Sequence, residues 1–216
     1  MLKETNKIIL QNRSFLVPFF LIWIGSFVQV CIHNKIYTHQ ILNEYHTNTG
    51  DIFFKYFTEM GGVIPFVILF IMLFFNYRAS ALIASTLALS SSISRICKEI
   101  FQAHRPIALF EKLDIHLPLV QGVDLHRSLS FPSGHTTTAF AVFLALAMLS
   151  KKIYIKVICL ITALLAGYSR IYLSQHFLED VVAGALIGVF STVILSSLFI
   201  NKTWGNSNLI NSIKGV

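Results

Sequence analysis

Apolar residues fall in six blocks along the chain, at about 15–32, 60–75, 79–97, 136–149, 153–170 and 181–200, with polar segments between them. The first and last are 18 and 20 residues long, and a helix of that length crosses the roughly 30 Å hydrocarbon core of a bilayer. The second, fourth and fifth blocks are shorter, a length that also suits a buried helix of a soluble protein. Because they alternate with unambiguous spans, they are read here as spans whose ends are polar for a reason. The pattern therefore predicts an all-α fold, an integral membrane six-helix bundle. No stretch resembles a repeat or a low-complexity linker.

Composition supports that reading. Of 216 residues, 12% are charged and 55% hydrophobic, whereas soluble domains carry about 25% charge. So little charge cannot cover a water-facing surface, and so much apolar content excludes a disordered, solvating chain. The first block follows Lys3, Lys7 and Arg13, as a signal peptide would. No small-x-small cleavage site follows, since Gly25-Ser26 leads into Phe27-Val28-Gln29-Val30, so an uncleaved anchor is expected. Cys31, Cys97 and Cys159 show no CxxC spacing and are odd in number, which reads as small buried hydrophobes.

The net charge of +7 would permit nucleic acid, an anionic membrane surface or an anionic substrate, and its distribution decides. With six spans, the face holding both termini carries Lys3, Lys7, Arg13, Arg78, Lys151, Lys152, Lys156, Lys202 and Lys214 against Glu4 alone. The other face carries eight cations and nine carboxylates, together with all eight histidines. Positive residues near span ends mark the cytoplasmic side. The tails, about 1–14 and 201–216, are therefore expected in the cytoplasm, and the longer loops, about 33–59 and 98–135, outside it. No nucleic-acid partner is expected; the lipid bilayer is.

Three segments on the outer face are too polar for passive helix ends. In Lys98-x6-Arg105-Pro106 the seven-residue spacing is close to two helical turns, which would project both cations from one face, with Pro106 stopping the helix behind them. Two cations aimed at one place suggest an oxyanion. In Pro132-Ser133-Gly134-His135, Ser133 can cap a helix whose free N–H groups bind phosphate, Gly134 lets a ligand approach the backbone, and His135 stands where it could give a proton to a leaving group. In Ser169-Arg170-x5-His176-x3-Asp180, His176 and Asp180 would share a helix face. The carboxylate would then fix one ring nitrogen and leave the other nucleophilic.

Together these segments resemble the three-part signature of the type-2 phosphatidic acid phosphatase superfamily, which also contains the vanadium haloperoxidases. The motifs span residues 98–180 and match the signature without departure. The resemblance implies one membrane phosphatase domain over 1–216, with its active site at the extracytoplasmic ends of spans three to six. It implies catalytic roles for His176 as the nucleophile forming a phosphohistidine, Asp180 as its orienting group and His135 as the acid on the leaving oxygen. Lys98, Arg105, Ser133, Gly134 and Arg170 would bind the phosphoryl group, with no metal and no cofactor. The substrate would be a membrane lipid phosphate or diphosphate, such as undecaprenyl diphosphate, phosphatidylglycerol phosphate, phosphatidic acid or a lipid A phosphate. A lipid phosphotransferase using the same phosphohistidine, a haloperoxidase, and a non-enzymatic transporter or lipid-binding protein remain as alternatives.

Other polar residues admit plainer readings. Arg95, one turn before Lys98, is either a further phosphate contact or an anchor, and Glu179 is a solvated neighbour of Asp180. His33, His39 and His46 lie six and seven apart without a cysteine partner, a poor zinc pattern. Gly184-x3-Gly188 favours helix packing within the bundle over dimerisation. The aromatic-rich segment 33–59, with Tyr37, Tyr45, Phe53, Phe54, Tyr56 and Phe57, reads as an interfacial amphipathic stretch that could form a lip beside the site.

Overall fold

The structure, a computed structural model, describes residues 2–199 and is all-helical over them. The helices are α1 (Leu2–Gln11), α2 (Arg13–Ile32), α3 (Lys35–Leu42), α4 (Asn48–Phe57), α5 (Ile64–Phe75), α6 (Tyr77–Phe101), α7 (Pro106–Lys112), α8 (Gly134–Leu149), α9 (Ile153–Tyr172) and α10 (Leu178–Phe199), with a 3-10 turn at Thr58–Met60. Each apolar block of the sequence falls on a helix. The tail beyond 200, with Lys202 and Lys214, lies outside the described residues.

Among the described residues, Arg13–Ile32, Tyr77–Lys112, Ile153–Tyr172 and Leu178–Phe199 are long and apolar enough to cross a membrane. Asn48–Met60 and Ile64–Phe75 make a fifth candidate if the pair, bent by 45°, is taken as one span. The remaining apolar helix, α8, has only 16 residues. Its position accounts for its length. From Thr136 to Ala145 every residue is buried, and α8 packs against α6, α9 and α10. Surrounded by protein, it need not match the thickness of lipid.

Small side chains make that central placement possible. Ala139, Ala141, Ala145 and Ala147 line α8 and are fully buried. A Cβ added at Gly188 of α10 would lie 2.5 Å from the Thr137 carbonyl oxygen, and one at Gly184 would lie 2.6 Å from that of Ser133. The Gly184-x3-Gly188 pair is thus the seam along which α10 meets α8, a packing contact within the chain. The main core joins Phe15, Leu16 and Phe19 of α2 to Phe140 and Leu144 of α8, Leu160 and Ala163 of α9 and Val189 of α10. The Trp23 indole pins α2 to α10 by donating to the Val182 carbonyl at 2.9 Å.

Outward, the helices expose large apolar side chains, among them Val17, Leu21 and Ile24 of α2 and Phe66, Phe70 and Phe75 of α5. Several hydroxyls in the spans return their hydrogens to the preceding turn, as Ser85 does to the Ala81 carbonyl and Thr86 to that of Leu82, whereas Ser94 and Ser191 are buried without a partner. Cys159 is buried as expected, but Cys31 is exposed on α2 and Cys97 partly so. The reading of all three as buried is corrected: Cys31 and Cys97 sit on outward helix faces where a small apolar side chain suffices.

The helix ends sort into two clusters. Ile8, Gln11, Asn12, Asn76, Arg78, Met148, Leu149 and Ser196 gather at one end. There the Lys156 ammonium donates to the Gln11 carbonyl and to Asn12 Oδ1, both at 2.6 Å. The 98–135 segment and the α9–α10 junction gather at the other. Segment 33–59 is mostly helical rather than an open loop, and its inner residues pack on the end of α9. Phe54 lies against Tyr168 and Tyr172, and Asn43 donates to the Ile171 and Tyr172 carbonyls. Tyr37, Tyr45, Phe53 and Tyr56 remain exposed along its outer side.

Candidate active site

A cavity of about 660 Å³ opens at this second end, and its wall includes Thr58, Glu59, Lys98, Arg105, Gly134, His135, Arg170, Gln175 and His176. The chain reaches that point from five separate segments.

The Lys98–Arg105 pair is arranged differently from the sequence expectation. Helix α6 ends at Phe101, because Gln102 turns left-handed at φ 42°. Arg105 is extended and forms the N-cap of α7, whose first residue is Pro106. The proline therefore opens a helix, where its missing N–H costs nothing, instead of stopping one. The two cations still share the cavity because backbone bonds fold the segment back. Arg105 N–H donates to the Arg127 carbonyl and Ser130 N–H to that of Ala103, each at 3.0 Å. The Arg105 guanidinium is fixed by Nε to the Ser128 carbonyl at 3.0 Å and by Nη1 to Gln175 Oε1 at 3.0 Å. The Lys98 ammonium donates to the Leu129 carbonyl at 2.5 Å. Arg170, in the last turn of α9 and 7% exposed, donates from Nη1 to Thr58 Oγ1 at 2.6 Å, while its Nε is buried without a partner.

Ser133 caps α8, its Oγ accepting from Thr136 N–H at 3.4 Å and from the Thr136 hydroxyl at 2.9 Å. Fully buried, it presents no hydroxyl to the cavity; Gly134 forms the wall instead. The phosphate contact that the resemblance implies for Ser133 is therefore corrected: Ser133 does not line the cavity and caps α8 instead. The cap sets the first turn of α8 so that the N–H groups of Gly134 and His135 are left for an anion.

His176 lies in the turn between α9 and α10, not on a helix, yet Asp180 in the first turn of α10 reaches back to it. Asp180 Oδ2 stands 3.3 Å from His176 Nδ1 and also accepts from Phe177 N–H at 3.0 Å. Both residues are at most 2% exposed. A third member was missed in the sequence. Ser130, fully buried, donates its hydroxyl to Asp180 Oδ2 at 2.6 Å and lies 3.4 Å from His176 Nδ1. It falls two residues outside the Pro132-Ser133-Gly134-His135 motif, and a lone serine in a loop carries no signal. With Nδ1 facing the carboxylate, Nε2 is the nitrogen available to the cavity. Burial, reinforced by Arg105, Arg170 and Lys98, pushes the His176 imidazole well below its ordinary value, which keeps its lone pair free.

Several plainer readings also resolve. Arg95 pairs with Glu99 at 2.7 Å on an exposed face, and Glu179 pairs with Lys35 at 3.2 Å. His39 is buried edge-on between Phe110 and Phe177, and His46 stacks on Tyr172 while bonding Asp51 at 2.9 Å. Neither faces the cavity.

Known proteins resemble this chain in sequence and in fold. The PAP2 superfamily description matches residues 62–204. The chain is 37% identical over 60 residues to lipid A 4'-phosphatase of Bacteroides thetaiotaomicron, and 34% identical over 70 residues to lipid A 1-phosphatase of Rhizobium johnstonii. It is 39% identical over 71 residues to phosphatidylglycerophosphatase B of Bacillus subtilis. These segments cover 28%, 32% and 29% of this chain and only 27%, 28% and 35% of those relatives. The crystal structure of Aquifex aeolicus LpxE superposes with a TM-score of 0.66 at 30% identity, over 73% of this chain and 92% of that one. The transmembrane PAP2-type phosphatidylglycerolphosphate phosphatase of Bacillus subtilis shares the fold, with a TM-score of 0.61 at 24% identity over 87% of this chain and 98% of that one.

Proposed function

This chain belongs to the PAP2 superfamily, and from that premise we propose that it is a metal-independent phosphatase acting on a membrane lipid phosphate or diphosphate through a phosphohistidine. The observation that carries the reading is the convergence of His135, His176, Lys98, Arg105 and Arg170 on one cavity. Three segments distant in the chain, 98–105, 134–135 and 170–176, bring them there.

His176 Nε2 attacks phosphorus while Asp180, braced by Ser130, accepts from Nδ1–H. Lys98, Arg105, Arg170 and the first N–H groups of α8 hold the phosphoryl oxygens, so fixed positive charge meets the charge that develops in transfer. Those three cations fill the role that metal ions take in other phosphatases. His135 gives its proton to the leaving oxygen as the P–O bond breaks. It then takes a proton from the water that attacks phosphohistidine, releasing phosphate and restoring both histidines.

The lipid substrate class is supported by the relatives' names and by the site's place at the helix ends, the depth at which a lipid headgroup lies. We read the six apolar blocks as six spans of one domain over 1–216 in the cell membrane, with α8 as the protein-enclosed span. The cation-rich end, with both termini, faces the cytoplasm and the cavity faces the exterior or periplasm.

The test uses purified protein in detergent and a panel of undecaprenyl diphosphate, phosphatidylglycerol phosphate, phosphatidic acid and lipid A phosphates. Free phosphate should appear without an added acceptor and persist in EDTA, and His176→Ala should release none while melting like the wild type. Turnover in that variant would refute the mechanism; a requirement for an acceptor would make the protein a phosphotransferase.

A further inference from the structure

The turn that carries His176 is braced by a helix outside the region shared with the PAP2 superfamily. That region begins at residue 62, whereas α3 spans Lys35–Leu42. Tyr37 and Ile41 of α3 face outward, yet His39 and the C-cap residue Asn43 are each only 1% exposed. A buried amide is costly unless its hydrogen bonds are made, so the partners of Asn43 define its role. All three belong to the end of α9 and the turn after it. Asn43 Nδ2 donates to the Tyr172 carbonyl at 2.7 Å and to that of Ile171 at 3.0 Å, two groups that the last turn of a helix leaves open. Its Oδ1 accepts from the Ser174 hydroxyl at 3.3 Å.

Ser174 is the point at which the chain leaves α9. It is 1% exposed and left-handed at φ 51°, a conformation that glycine adopts freely and serine does not. His39 Nε2 and the Pro118 carbonyl each lie 3.4 Å from its Oγ, so the side chain is held from three sides. Residues of the site flank it. The Arg170 carbonyl accepts the N–H groups of Gln175 at 2.9 Å and His176 at 3.1 Å, and Gln175 Oε1 receives the Arg105 guanidinium. A Ser174 that relaxed out of the left-handed region would carry Gln175 and His176 away from that carbonyl.

We propose that Asn43 is a positioning residue of the active site: by clamping Ser174 in its left-handed conformation, it aims the His176 imidazole at phosphorus. A helix ahead of the shared region thus supplies part of the catalytic geometry. The proposal rests on His176 being the nucleophile. A misplacement of about 1 Å at a reacting atom costs on the order of 100-fold in rate. The attraction of phosphate to Lys98 and Arg105, which reach the cavity from another segment, falls off slowly with distance. Loss of the clamp therefore acts on turnover more than on binding.

The test separates this role from a structural one. In detergent, below the melting temperature of every variant, kcat and KM on phosphatidic acid are measured for wild type, Asn43→Ala, Ser174→Ala, Ser174→Gly and the variant carrying both Asn43→Ala and Ser174→Gly. Asn43→Ala should lose about tenfold or more in kcat, with KM within about threefold of wild type. Both Ser174 variants lack the hydroxyl, but only glycine adopts the left-handed backbone freely, so Ser174→Gly should turn over about fivefold or more faster than Ser174→Ala. In the double variant, glycine should restore most of what Asn43→Ala lost. A purely structural contact would lower the melt and leave these ratios near one. Equal kcat in the two Ser174 variants, no recovery in the double variant, a loss carried by KM, or an Asn43→Ala kcat within about twofold of wild type would each overturn the proposal. Where Asn43→Ala does not fold, the two Ser174 variants decide. Turnover in His176→Ala would remove the nucleophile premise, and that failure is visible without reference to Asn43.

Discussion

Ser130→Ala tests the part of the site that the signature does not contain. The substitution removes one hydroxyl, buried completely, and with it the 2.6 Å bond to Asp180 Oδ2. Asp180 keeps the Phe177 N–H at 3.0 Å and His176 Nδ1 at 3.3 Å, while its Oδ1 already lacks a partner. A hydrogen bond to a charged group contributes about 1.5–3 kcal/mol. If that bond acts mainly to hold Asp180 square to His176, its loss appears in the transition state, and turnover falls by about 10–150-fold. If it acts mainly on folding, the same energy appears as a lower melting temperature with turnover intact. Phosphate release from detergent-solubilised lipid phosphate, with a thermal melt of the same preparation, reads both. A Ser130→Ala enzyme within about twofold of wild-type turnover, with an unchanged melt, would refute the claim that Ser130 braces the pair.

Two further predictions concern packing and protonation. Gly188→Ala would place its Cβ 2.5 Å from the Thr137 carbonyl and 2.9 Å from Ala141 N, so α8 and α10 must separate; the thermal melt should drop by an amount equivalent to about 1–3 kcal/mol, and an unchanged melt would contradict the seam. His39 is pushed down to about 4 by burial, so between pH 6.5 and that value the unfolded chain binds a proton that the folded protein refuses. Stability should therefore fall as pH falls through this window, by up to about 1.4 kcal/mol per pH unit from this residue, and His39→Gln should show a shallower decline in melts from pH 7 to 5. Parallel declines in the two proteins would refute it.

The sequence alone determined the helical class of the fold and most of the residues that line the candidate site. Apolar blocks are read directly because lipid imposes one local requirement on a helix, length and apolarity together, and each block became a helix. Lys98, Arg105, His135, Arg170 and His176 were legible because their types and spacings form a joint pattern. Local geometry was less legible. Arg105 was placed on the α6 face, but a left-handed Gln102 ends that helix first, and tertiary bonds to Arg127 and Ser128 carry the arginine back. Ser133 was given to the phosphate and is instead the buried cap of α8. Ser130, Thr58 and Gln175 carried no signal, since each meets its partner, Asp180, Arg170 and Arg105 respectively, only through the fold. Spacing along a chain fixes which residues can share a helix turn. Which residues meet at the cavity depends on how α8, α9 and α10 pack, and the close approach of Gly184 and Gly188 to the backbone of α8 decides that.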